Sequence, residues 1–123
     1  MSRNDLEDRL IAFAIRAVRL AEQLPKTVIG SRLNDQLTRA SSSAPLNYGE
    51  AQSAESRKDF VHKSQVVLKE LRESNVAFKM IDGLKLANDP HELTALMKEV
   101  NELIAIFVTS VNTARRNDQK KKE

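Results

Sequence analysis

Apolar positions recur at three- and four-residue spacing through most of the chain, the period of an amphipathic helix. In the first stretch, about Asp5 to Leu24, residues Leu6, Leu10, Phe13, Ala17, Ala21 and Leu24 share one face. Ile11, Ile15 and Val18 form a second stripe beside it. A face that wide suggests burial against more than one neighbour. Asn4 is placed to cap the start, with Glu7 three residues on as in a capping box. Pro25 ends the helix, because the residue before proline avoids the α region.

From about Val28 to Gln52 the period is interrupted. Leu33, Leu37, Ala40 and Ala44 keep helical spacing, but Ser41-Ser42-Ser43 and then Pro45 argue against continuation. Proline removes one backbone hydrogen bond and crowds the carbonyl four residues back. One kinked helix and two short ones are equally compatible with these residues.

The third stretch starts at Ser56, with Asp59 three residues on. Phe60, Ser64, Val67, Leu71, Ser74, Phe78 and Ile81 make its seam, with Val61, Leu68 and Val76 alongside. Gly83 is either inside this helix or at its fraying end. In the fourth, Asp89 caps, Pro90 takes the first turn and Glu92 favours the N-terminal dipole. Leu93, Leu96, Val100, Leu103, Phe107 and Val111 make its seam, and the helix is predicted to fade near Arg115. No strand alternation competes anywhere. Four such segments with short connections fold most simply as an all-α, antiparallel up-down-up-down four-helix bundle.

Composition agrees with that reading. The 123 residues make one domain, with 41% hydrophobic and 30% charged residues and only 3 Gly and 3 Pro. A chain this long buries roughly 65% of its unfolded surface, enough for one core without staples. With no cysteine there is no disulfide framework and no thiolate metal site, which fits a reducing compartment. No apolar run reaches the roughly 18 residues of a membrane span, and the N-terminus lacks the apolar core of a signal peptide. The expected compartment is the cytoplasm.

Charge is unevenly placed. Of 20 basic and 17 acidic residues, five and two fall in 115–123, leaving 15 of each in 1–114. We therefore expect a neutral bundle over 1–114 and a basic, disordered tail over 115–123. The tail carries Arg115, Arg116, Lys120, Lys121 and Lys122. A basic tail attracts nucleic acid or anionic lipid, and equally serves as a solvated end. On the third helix, Arg57, Lys58, His62, Lys63 and Lys69 make a second basic region, with Lys58, His62 and Lys69 able to share a face. Such a patch can neutralise phosphates without reading bases, or be an exposed face laced with ion pairs.

Catalytic chemistry is poorly supplied. A di-metal bundle site needs two acid-x-x-His pairs, and only Asp59-Phe60-Val61-His62 fits. The serine run has no histidine near it in sequence and no glycine elbow, and no glycine-rich phosphate loop is present. A pair such as Glu50 and His62 would need a geometry that spacing does not supply. We expect no enzyme activity, no metal and no cofactor.

The stretch Gln36-Leu37-Thr38-Arg39-Ala40-Ser41-Ser42-Ser43-Ala44-Pro45-Leu46-Asn47-Tyr48-Gly49-Glu50 resembles the second helix of the bacterial four-helix-bundle proteins, also called the 23S ribosomal-RNA intervening-sequence protein family. Ser56 to Lys63 and Leu68 to Glu73 are similar to the third-helix signature of one large branch. The resemblance implies that Pro45 lies within one continuous helix. It implies homo-oligomers, commonly pentameric rings. It also links the chain to accessory proteins of diversity-generating retroelements, which bind nucleic acid and partner a reverse transcriptase. That branch is notably basic, whereas residues 1–114 here are neutral. By the same resemblance, Arg39, Asn47, Glu50 and Glu70 are expected to form a polar network between helices two and three or across a subunit boundary. RNA, DNA, a nucleic-acid enzyme and a second copy of the chain are thus the expected partners. The competing expectation is a protein-interaction module that binds no nucleic acid.

Overall fold

A computed structural model describes residues 3–122, with the side chains of residues 3, 4, 118 and 120–122 outside the description. Four helices follow in order: α1 (Arg3–Glu22), α2 (Val28–Gln52), α3 (Arg57–Gly83) and α4 (Pro90–Lys122). Each packs on its neighbour in sequence, and α1 returns to touch α4 least of all. The fold is an antiparallel four-helix bundle, with no strand among the described residues.

The helix limits follow from local chemistry. Thr27 caps α2 by accepting from the Gly30 amide at 3.1 Å, and Ser56 caps α3 by accepting from the Asp59 amide at 3.0 Å. Asp89 accepts from the Glu92 amide at 3.2 Å at the head of α4. Asn4 lies inside α1 rather than before it, since that helix begins at Arg3 and stops at Glu22. A Cβ at Gly30 would stand 2.0 Å from the Pro25 carbonyl oxygen, so only glycine lets the α1–α2 turn close this tightly.

Helix α2 is continuous through Pro45. Side-chain donors support the carbonyls on either side of the lost ladder bond. Ser41 Oγ donates to the Leu37 carbonyl (2.6 Å), Ser42 Oγ to that of Thr38 (2.7 Å), and Asn47 Nδ2 to that of Ser43 (2.8 Å). The serines that read as a helix breaker instead turn their hydroxyls back onto carbonyls of their own helix, which satisfies them inside the bundle without ending α2. Helix α4 also corrects an expectation, running to Lys122 instead of fading near Arg115. No Gly or Pro follows residue 90, and lysines in a last turn complement the negative end of the helix dipole.

The seams of α1, α3 and α4 face inward as spaced, with Phe13, Phe78 and Phe107 among the fully buried side chains. Phe60 is half-buried at the edge instead of central. Two edge-to-face aromatic pairs cross the diagonals of the bundle. Phe13 on α1 meets Phe78 on α3 with ring centroids 6.2 Å apart, and Tyr48 on α2 meets Phe107 on α4 at 5.6 Å. The α2–α3 side is lined by small residues, Ala40, Ser41, Ala44, Ser64 and Ser74, all fully buried.

The α1–α4 seam is closed by charge. Arg9 donates to both carboxylate oxygens of Glu99 (2.8 and 2.7 Å), and Arg16 does the same to Glu92 (3.0 and 2.7 Å). Such forks are the geometry in which arginine and carboxylate bind best. The hydrogen bond from Arg16 holds the Glu92 carboxyl below its ordinary pKa, and the hydrogen bond that Arg9 donates to Glu99 raises that of Arg9.

Helix α3 ends in a Schellman motif. The Leu86 amide donates to the Ile81 carbonyl (3.0 Å) and the Lys85 amide to that of Asp82 (3.1 Å). Lys85 holds the left-handed position, φ 58°, where glycine is normally found. Lys85→Gly should raise stability by roughly 0.5–1 kcal/mol in urea unfolding, the relief of a crowded Cβ less the entropy of a freer unfolded chain. The Arg16–Glu92 fork sets a pH signature. A lowered carboxyl pKa contributes stability above the unfolded value, near 4.5 here, and loses it as pH falls through the folded one. The melting temperature of Arg16→Gln should lie below that of the parent at pH 7, with the gap closing below about pH 4.5.

Candidate functional site

Lys58, His62, Lys69 and Arg72 follow one another at helical spacing along the outer ridge of α3, and all four are exposed. Sequence reasoning missed Arg72, although it extends that stripe by three residues. Across the groove between α3 and α4 stands Arg115, predicted from the tail but carried by a helix. Lys69, Arg72 and Arg115 line this groove of about 330 Å3 together with Gln65 and Asn112, and no carboxylate lines it. Lys69 is held loosely, 3.9 Å from Glu73 on its own helix. Three cations and two amides along one groove can neutralise and hydrogen-bond an anionic backbone. No aromatic ring lines it, so it offers bases no stacking platform.

The other predicted contacts lie apart. Arg57 lines a separate depression at the start of α3, beside Glu55, Phe60 and Asn117 of α4. Lys63 reaches 3.5 Å to Glu50 on α2. Lys58 and Arg116 are exposed. Lys120, Lys121 and Lys122 belong to α4, and their side chains lie outside the described residues. Among the described residues, no group of three or more histidines, cysteines or acids could hold a metal ion.

The expected polar network is only partly assembled. Arg39 on α2 donates to Glu70 (3.2 Å) and to Glu73 (2.6 Å) on α3, while the Glu70 side chain is only 7% exposed. The bond to Glu73 raises the Arg39 pKa, with the Glu70 charge assisting. Asn47 and Glu50 stand outside this cluster. Asn47 turns its amide to its own helix at Ser43, the carbonyl two residues before Pro45, and Glu50 faces Lys63. The network is thus an Arg39–Glu70–Glu73 clamp between α2 and α3, plus one separate ion pair.

The clamp matters because Glu70 is buried and needs a cation. Arg39→Met should cost roughly 1–3 kcal/mol in urea unfolding, the penalty of leaving a charged acceptor without its donor. Adding Glu70→Met should return most of that loss, because it removes the orphaned charge.

Comparison with known proteins places this arrangement in a family. The profile of the 23S rRNA-intervening sequence protein family matches residues 4–109. The crystal structure of a protein of unknown function from the S23 ribosomal protein family of Bacteroides thetaiotaomicron VPI-5482 superposes with a TM-score of 0.78. It is 23% identical, and the alignment covers 91% of this chain and 99% of that one. At that identity the likeness concerns the fold. No curated protein matches the chain. The family match spans all of α2 and α3 and most of α1 and α4, and on it the chain belongs to the 23S rRNA-intervening sequence protein family.

Proposed function

We propose that this protein is a non-catalytic, homo-oligomeric helical scaffold that holds a nucleic-acid backbone weakly in its α3–α4 groove. The observation that carries the reading is the groove itself, where Lys69, Arg72 and Arg115 converge with no carboxylate among them. The contacts suit phosphates, so recognition is of charge and shape, not sequence. Three phosphate contacts on a body of balanced charge give modest affinity, and repetition around an oligomer would multiply it. The exposed apolar side chains Ile11, Ile15, Val76 and Met80 support self-association. They equally support the second reading, a protein-interaction module that binds no nucleic acid.

Fluorescence anisotropy with structured RNA and duplex DNA separates the two. The groove predicts binding whose logarithm falls with log salt at a slope of about −2 to −3. Arg72→Gln should weaken it on all sequences alike and flatten the slope by about one. Absence of binding to either nucleic acid at about 50 mM salt, where phosphate contacts are strong, leaves the protein-interaction module standing.

A further inference from the structure

Every exposed large apolar side chain among the described residues lies along α1, α2 or α3 or, for Leu84, just past the end of α3, and α4 has none. They fall into two areas. Ile11 and Ile15 of α1 flank Leu46 of α2, which is 70% exposed beside Pro45. On the next side of the bundle, Val76 and Met80 of α3 face Ile29 and Leu33 of α2 across a groove of about 590 Å3. Val28 and Leu84 are also exposed at the end of the bundle where α2 starts and α3 stops.

The two areas differ in charge. Glu7 is the one charged residue lining the first. The second is rimmed by Arg32, Lys69, Arg72 and Glu73, and Glu73 is already engaged by Arg39. Among the described residues, Glu7, Arg32 and Arg72 have no ion-pair partner within their own chain. We propose that Ile11, Ile15 and Leu46 of one copy seat in the α2–α3 groove of the next copy, with Glu7 against Arg32. This rests on the homo-oligomer reading above and specifies its interface.

Charge decides the symmetry. Pairing either area with itself across a two-fold axis offers Glu7 no cation, and offers Arg32 no acid but Glu73, which Arg39 already holds. Pairing the first with the second brings apolar surface and opposite charge together at once. Such a contact is heterologous, and it propagates until the rotation between subunits closes a ring. The two areas lie on adjacent sides of the bundle that share α2, so one copy can use both at once.

Sedimentation velocity on the full chain, with helicity checked by circular dichroism, tests this. The parent should run as a multiple of 13.8 kDa at micromolar concentration. Glu7→Lys and Arg32→Glu should each weaken association about tenfold or more, and the two together in one chain should recover it to within about threefold. A monomeric parent overturns the oligomer reading and this interface with it. An oligomeric parent whose association neither change disturbs, or which the double change fails to restore, overturns the interface alone. Because the chain has no cysteine, Ile15→Cys and Met80→Cys give a second readout with a short bis-maleimide. Cross-linking in the mixture and in neither variant alone supports the heterologous contact; cross-linking of one variant to itself overturns it.

Discussion

The bundle depends on two aromatic pairs that reach across its diagonals. Adjacent helices can be brought together by small residues, but opposite helices need long side chains to meet at the centre. Phe13 with Phe78 and Tyr48 with Phe107 supply that reach, and they use four of the five aromatic residues in the chain. Each pair adds about 0.5–1.5 kcal/mol beyond its buried area, with edge-to-face geometry as the preferred contact. Large residues on the diagonals and small ones along the α2–α3 side are complementary demands. Enlarging Ala40 or Ala44 would push apart helices that the aromatic rings position.

Polar contacts then fix which sides stay shut. On the α2–α3 side, Arg39 satisfies the buried Glu70 and the half-exposed Glu73 together. On the α1–α4 side, two arginine forks do the joining. The remaining outward surface divides by sign. The α3–α4 groove is cationic, the α2–α3 groove is apolar with a cationic rim, and the α1–α2 area is apolar with one acid. The buried Glu70 joins α2 to α3, and three chemically distinct surfaces are left for contact with others.

How much of this was legible in the sequence varied by element. Helices α1, α3 and α4 show in their spacing because their buried faces carry large apolar residues at the helical period. Helix α2 does not, because Ala40, Ser41 and Ala44 bury small side chains and Pro45 signals a stop. Spacing cannot show that serine and asparagine side chains bond back to carbonyls of their own helix. The cation ridge was half legible: Lys69 was chosen and Arg72, on the same stripe, was not. Arg9 with Glu99 was not legible at all, since nothing local links residues 90 apart. The left-handed turn at Lys85 was hidden for a different reason, since a lysine stands where glycine is the usual signal. Ile11 and Ile15 form the second stripe that the spacing shows, yet within one chain they stay 41% and 47% exposed beside Leu46 of α2.

The weak α1–α4 contact bears on how the chain assembles. Three of the four helix interfaces join neighbours in sequence and cost only short loop closures. Such contacts are local, the topology of fast folders. The α1–α4 seam alone requires the two ends of the chain to find each other, and it is made from long, charged side chains in place of close backbone approach. Charge attraction acts before the surfaces touch, so it suits a final closing step. The same seam is the natural line of first opening.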